Sequence, residues 1–248
     1  QPWRPSLSPS SLKKELLSGR QLRIKFGIDP TGPKIHIGRA IPLRKLRQFQ
    51  LLGHQIVLII GDFTAQIGDP SDKLAKRPML TREVIEENMR DYKAQIGKII
   101  DADNVEFVYI SDALRPLGFQ EICQLAESFT VQQMIARRNF SERIEKGEEV
   151  SLRELMYPLM QGYDSVAVNA DVEIGGFDQL FNLKAGRYIQ KHYGKKEQNV
   201  LTIEMLEGTD GRKMSKGYNN TIPLFAEYEE IKKCVMSIVT DSSGGIPK

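Results

Sequence analysis

Cysteine is scarce. The 248 residues hold two, Cys123 and Cys234, too widely separated for the paired spacing of a zinc site and too few for a small disulfide framework. A reducing compartment is the natural setting. Long apolar runs are missing as well: none approaches the roughly 18 residues that a membrane span requires, and the N-terminal stretch lacks the basic-then-apolar order of a secretion signal. The expectation is a soluble, cytoplasmic chain without a membrane partner. Internal repeats and low-complexity segments are absent, which argues against a solenoid or a disordered tail. No single sign of charge dominates either, because 35 Lys and Arg face 32 Asp and Glu for a net +3. That balance is compatible with an anionic ligand but too small to establish a nucleic-acid partner. What is present, 40% hydrophobic and 27% charged residues, describes an ordinary globular protein of one large domain with insertions.

Periodicity supplies the order of elements. A short amphipathic helix over residues 8 to 18, capped by Ser8 or Ser10 and stopped by Gly19, precedes a strand from Gln21 to Phe26. Two prolines and two glycines make residues 27 to 33 a loop. A helix follows from His36 to Leu52, with Ile37, Ile41, Leu43, Leu46 and Leu51 as its apolar positions and Gly53 as its stop. Ile56 to Ile60 reads as a parallel strand covered on both faces. A long helix from Thr81 to Ile100 and a strand from Val105 to Ile110 come next, and residues 112 to 170 read as helical. Strands at Val172–Ile174 and Val200–Ile203 flank a helix near 178 to 191, and Glu227 to Val239 closes the chain as an amphipathic helix. This succession predicts an α/β fold, a doubly wound parallel sheet with a helical insertion.

Two segments carry chemistry. In Asp29-Pro30-Thr31-Gly32-Pro33-Lys34-Ile35-His36-Ile37-Gly38-Arg39, a histidine and a glycine open a helix directly after a strand and loop. Free backbone N–H groups and a partial positive charge at that place suit an anion, and a small residue lets a ligand approach the backbone. The plain alternative is a polar helix start in which His36 caps its own turn. In Gly211-Arg212-Lys213-Met214-Ser215-Lys216-Gly217, two lysines lie three apart in a glycine-flanked loop, where mobile ammonium groups can follow charge onto a departing pyrophosphate. Further basic clusters lie at Arg44-Lys45-Arg47 and Lys73-Lys76-Arg77, the common fate of such clusters being a solvated face.

His36-Ile37-Gly38-Arg39 resembles the HIGH motif, and Lys213-Met214-Ser215-Lys216-Gly217 the KMSKS motif, of class I aminoacyl-tRNA synthetases; Arg39 and Gly217 depart from the final residues of those patterns. The stretch from Lys25 to about Met214 is similar to bacterial tyrosyl-tRNA synthetases. Its most telling piece is Tyr157-Pro158-Leu159-Met160-Gln161-Gly162-Tyr163-Asp164, because helical spacing puts Tyr157, Gln161 and Asp164 on one face. The resemblance implies a Rossmann-like catalytic domain that activates L-tyrosine with ATP and magnesium and transfers it to tRNA(Tyr). It implies that Tyr157, Gln161, Asp69 and Gln179 hold the amino acid, with Asp164 accepting from the ring hydroxyl. It further implies nucleotide contacts from Asp29, Thr31, Gly38, Gly176, Asp178 and Leu206, and pyrophosphate contacts from His36, Lys213, Lys216, Lys73 and Arg77. No residue is assigned to a resident metal. Phe177 replaces a smaller residue beside the ribose, and Lys25 stands where one bacterial branch has a tyrosine that shares the substrate hydroxyl.

The same resemblance implies a homodimer, with the helical segment from Phe129 to Ile135 as a candidate interface. Residues 1–225 are expected to form the catalytic domain, including the helical connecting region at about 112–170. Residues 226–248 then begin a helical C-terminal region, without an anticodon-binding domain, as in a truncated chain. Two other readings stay open. Asn219 to Phe225 and Ser237 to Ser242 resemble tryptophanyl enzymes, and a non-catalytic paralogue binding nucleotide or RNA would share the fold.

Overall fold

A computed structural model describes residues 9–68, 80–215 and 218–238. Five parallel strands, β1 (Arg23–Ile28), β2 (Gln55–Ile60), β3 (Val105–Tyr109), β4 (Val172–Gly176) and β5 (Asn199–Ile203), line up in the order β3-β2-β1-β4-β5. Each apolar run of the sequence became a strand. β1 and β2 pair from Arg23↔Gln55 to Ile28↔Ile60, so the ladder carries β1 two residues beyond the expected end at Phe26. Chain order reverses between β1 and β4, and in a doubly wound sheet that is where a crevice opens outside the carboxyl ends of the strands.

Both faces of the sheet are covered. On one, Ile24, Phe26, Ile56, Leu58 and Val172 pack against α2 (Ile37–Leu51) through Leu43, Leu46 and Phe49. On the other, Val57 and Ile59 meet Tyr157 and Met160 of α10 (Leu152–Ala167). Alternate residues of β2 thus serve opposite layers, which is why the strand reads as continuously apolar. Leu51, one of the positions assigned to the apolar stripe of α2, is 70% exposed, and Phe49 is the buried residue of that last turn. Gly19 and Gly53 follow α1 (Pro9–Leu17) and α2 with φ of 74° and 82°, as helix-terminating glycines do.

The single helix expected from Thr81 to Ile100 is two, α4 (Arg82–Met89) and α5 (Tyr92–Gly97), broken at Asp91, whose φ of −103° and ψ of 3° leave the helical region. The break lets Tyr92 and Ile96 enter the core with the sheet. Between β3 and β4 the chain is helical, through α6 (Ile110–Leu114), α7 (Phe119–Ala126), α8 (Val131–Ile135), α9 (Arg138–Glu145) and α10. The capping box of α10, Ser151 with Glu154, is reinforced by Arg143, whose Nη1 lies 2.5 Å from Glu154 Oε1. α11 (Leu180–His192) packs closely along α10, and α12 (Tyr228–Met236) is the last described helix. Among the described residues no helix is long and apolar enough to cross a membrane.

Candidate active site

The crevice is built around Asp29, at the end of β1. Its Oδ1 accepts from Thr64 Oγ1 at 2.8 Å and its Oδ2 from Tyr157 Oη at 2.8 Å. Gly61 makes this possible, because a Cβ there would lie 1.9 Å from Asp29 Oδ1. The loop after Asp29 is pinned by α4 and α5. Asn88 Nδ2 donates to Pro30 O at 2.9 Å, Tyr92 Oη to Gly32 O at 2.6 Å, and Gln95 Nε2 to Pro33 O at 2.8 Å. Burial pushes the Tyr92 hydroxyl up to about 12, so it stays a donor throughout the neutral range.

His36 occupies the N-cap of α2 in extended conformation, and its side chain makes no capping bond. The plain alternative for this histidine, a self-capping turn, is therefore not what the fold uses. Gly38 leaves room for the imidazole itself: a Cβ there would be 3.0 Å from His36 Nδ1. The segment is also stitched to the far end of the chain, since Ile37 N donates to Ile222 O at 2.9 Å and Leu224 N to Ile35 O at 2.7 Å. The two motif regions meet at one cavity, lined by His36 and Gly38 from the first and by Lys213, Met214 and Ser215 from the second.

Helix α10 delivers the face read from its spacing. Tyr157, Gln161 and Asp164 all line one cavity, together with Asp29, Thr31, Gly176, Gln179 and Lys213. Tyr157 and Asp164 are buried, and Gln161 Nε2 donates to Glu173 Oε1 at 3.2 Å. Among the described residues Asp164 Oδ1 is buried without a hydrogen-bond partner. Burial pushes this carboxyl well above its usual range; Lys25 pulls it back down, while Glu173 and Asp29 push it further up. Gln179 is held from behind by Asn182 Nδ2 at 2.9 Å.

An adjoining cavity is lined by His36, Gly38, Gly176, Asp178, Leu206, Lys213 and Met214. Lys213 Nζ lies 2.5 Å from Asp178 Oδ2, so the lysine assigned to phosphates rests on the carboxylate assigned to the ribose. Gly176 brings its backbone against that carboxylate, since a Cβ would be 2.5 Å from Asp178 Oδ1. Phe177 is 65% exposed and stays clear of it. Asp69, Lys73, Arg77 and Lys216 lie outside the described residues.

Asn220 is a residue the sequence reading passed over in this role. Its Oδ1 accepts from Ser215 N at 2.8 Å, and its Nδ2 donates to Asp210 Oδ1 at 2.7 Å and Lys213 O at 3.0 Å, closing the basic loop on itself. The bond from Asn220, then that from Arg212, holds the Asp210 carboxyl down at about 2. An asparagine next to another in a polar segment gives no periodic signal, so only the fold reveals it.

A protein-family model described as class I tRNA synthetases (W and Y) matches residues 17–248. The chain belongs to the class I tRNA synthetases. Within that family it is similar to curated tyrosine–tRNA ligases: that of Carboxydothermus hydrogenoformans is 48% identical over 228 residues, 92% of this chain and 56% of that protein. The chain thus spans about half the length of the curated relatives it matches. Among solved structures, tyrosyl-tRNA synthetase from Archaeoglobus fulgidus complexed with L-tyrosine has a TM-score of 0.74 at 23% identity, covering 93% of this chain and 69% of that one. Tryptophanyl-tRNA synthetase from Campylobacter jejuni has a TM-score of 0.66 at 23% identity, covering 90% and 69%. At those identities the structures establish the synthetase fold alone, the Rossmann-like parallel sheet with helical insertions.

Proposed function

We propose that the chain activates L-tyrosine with ATP to form tyrosyl-adenylate, as the catalytic part of a tyrosine–tRNA ligase that serves tRNA(Tyr). One observation carries the substrate: Asp164, which lines a cavity with Tyr157 and Gln161, has a buried Oδ1 without a partner among the described residues. A ring hydroxyl donates to that oxygen. Phenylalanine offers nothing in its place, and leaving the group buried and unmatched disfavours that ligand strongly. Tyr157, Gln161, Gln179 and Asp69 would then surround the α-ammonium group.

ATP fits the adjoining cavity, with Asp178 accepting a ribose hydroxyl and Leu206 beside the base. His36, Gly38, Asp29 and Thr31 would line the path of the phosphates. The tyrosine carboxylate attacks the α-phosphorus in line, the bond to the bridging oxygen breaks, and pyrophosphate leaves. The nucleophile is already ionised, so no protein base is required. Lys213, with Lys216, Lys73 and Arg77, would bind the departing charge more tightly than they bind ATP. Two described carboxylates of the crevice are engaged by protein groups, Asp29 by Thr64 and Tyr157 and Asp178 by Lys213. Magnesium would accordingly travel with ATP, coordinated by phosphate and water rather than by a protein cage.

A second reading has one observation in its favour, because an indole N–H would also satisfy Asp164 Oδ1. Exchange of pyrophosphate into ATP with tyrosine and tryptophan in parallel separates the two, and the larger tryptophan signal would establish the second. A homodimer is proposed from exposed apolar side chains on the connecting helices, Phe119 at 83% and Val131 at 62%. Met134, in the segment expected to form the interface, is buried within the chain instead. Sedimentation at micromolar concentration yielding only the 28.1 kDa species would overturn dimerisation.

A further inference from the structure

Lys25 is the largest fully buried side chain that no step above uses. It sits mid-strand in β1, opposite Glu173 in the β1–β4 register, on the face covered by α10. Its ammonium has three protons, and three oxygens lie within reach: Gln161 O at 2.9 Å, Ser165 Oγ at 2.9 Å and Glu173 Oε1 at 3.0 Å. No proton is left for a ligand. Lys25 is also absent from the residues that line the cavity, whereas Asp164, Gln161 and Glu173 line it. Glu173 is equally engaged. Its Oε1 receives Lys25 and Gln161 Nε2, and its Oε2 receives Ser165 Oγ and Gln198 Nε2.

Asp164 differs from both. Its Oδ2 lies 3.9 Å from Lys25 Nζ, near enough for attraction, while its Oδ1 has no hydrogen-bond partner among the described residues. Two buried carboxyls therefore share one buried ammonium; both residues line the cavity, and of the two only Asp164 has an oxygen without a partner among the described residues. Removing the cation would leave both without compensation, and a buried uncompensated carboxylate takes up a proton. A protonated Asp164 is a poorer acceptor for a hydroxyl.

We propose that Lys25 is a specificity-positioning residue: without touching the substrate, it is the buried counter-charge that keeps Asp164 an open acceptor for the ring hydroxyl. This rests on the tyrosine reading above. A lysine in this place does not take over the hydroxyl contact made by a tyrosine there. It acts through Asp164.

The test compares Lys25→Met, Glu173→Gln, the double variant and Asp164→Asn by pyrophosphate exchange with L-tyrosine and L-phenylalanine, each protein first checked by circular dichroism. Lys25→Met should raise the KM for tyrosine by about tenfold or more, the scale of one charge-assisted hydrogen bond, and lower the tyrosine-to-phenylalanine ratio by the same factor. The KM for ATP should stay within about twofold, since that pocket makes no contact with Lys25. Glu173→Gln keeps the cation and should hold the ratio within about threefold, and the double variant should track Lys25→Met. If Lys25 and Glu173 are merely a structural pair, removing both charges restores the parental KM and ratio. That result overturns the proposal, as does a folded Lys25→Met with the parental ratio. Should Lys25→Met not fold, Glu173→Gln decides against Asp164→Asn: the proposal requires the ratio to survive in the first and fall in the second, and a fall in both overturns it. A parent that exchanges with tryptophan but not tyrosine, or with neither, overturns the tyrosine reading itself and this proposal with it. A tyrosine-active parent with variants that disobey overturns only the role of Lys25.

Discussion

Replacing Lys213 with alanine separates holding the loop from driving the reaction. The Lys213 ammonium lies 2.5 Å from Asp178 Oδ2, with the two side chains 33% and 26% exposed. An ion pair that open to solvent contributes about 0 to 1 kcal/mol, and for a chain of this size 1 kcal/mol shifts the melting temperature by about 2–4 °C. Lys213→Ala should therefore melt within about 4 °C of the parent. The loop keeps its shape through Asn220, which binds Ser215 N, Asp210 and the Lys213 carbonyl, none of which the substitution removes. The rate should respond very differently. If the lysine leaves Asp178 when a ribose hydroxyl takes that carboxylate, and then meets the charge growing on pyrophosphate, its loss costs about 10²-fold in adenylate formation, comparable to losing one oxyanion donor. Single-turnover formation of tyrosyl-adenylate at varied ATP reads both quantities. The expected result is a lower limiting rate with a much smaller change in the ATP concentration at half-saturation. A limiting rate equal to the parent's, reached only at higher ATP, would refute the transition-state role.

Three other perturbations have defined outcomes. Gly162→Ala places a Cβ 2.4 Å from Ile189 Cδ1 and 3.1 Å from the backbone carbon of Ala185, so α10 and α11 must part. Urea unfolding should show a loss of about 1–3 kcal/mol, and an unchanged midpoint would contradict the close packing. At pH values below the raised value of the Asp164 carboxyl, tyrosine binding should release a proton: burial, Glu173 and Asp29 raise that carboxyl against the pull of Lys25, and a donated hydroxyl bond favours its ionised form. Affinity should then rise with pH above the usual carboxylate range and level off above the raised value, and calorimetry in buffers of different ionisation enthalpy would count the proton. Asn220→Ala removes bonds to Ser215 N, Asp210 and Lys213 O; limited proteolysis should cut the 208–220 loop faster than in the parent, and equal rates would show that other contacts hold it.

The sheet was legible chiefly from β2, whose apolar, β-branched run Ile56 to Ile60 is what a parallel strand covered on both faces demands, and from shorter apolar stretches in the other strands. Boundaries were less so: Gly27 and Ile28 belong to β1 only because Ile59 and Ile60 continue beside them, a fact about the neighbouring strand. The break between α4 and α5 carries no proline or glycine to announce it. It is enforced from outside, by Tyr92 reaching Gly32 O and by Ile96 entering the core. In the crevice, the face formed by Tyr157, Gln161 and Asp164 could be read because all three lie on one helix at helical spacing. The Lys25–Glu173 pair could not, since a charge within a strand ordinarily reads as exposed, and its partner belongs to a strand that becomes adjacent only when the sheet forms. The resemblance assigns Asp178 to a nucleotide and Lys213 to its phosphates, but their contact with each other is a tertiary fact.

The central claim is that this crevice activates tyrosine. Amino-acid-dependent exchange of pyrophosphate into ATP, run with tyrosine, tryptophan and phenylalanine on the same protein, addresses it most directly. Exchange with tyrosine that exceeds that with phenylalanine by several orders of magnitude, and exceeds that with tryptophan, is the predicted result, because Asp164 Oδ1 lies buried without a partner among the described residues and a ring hydroxyl would supply one. Equal rates with tyrosine and phenylalanine, or no exchange with any of the three, would contradict the account.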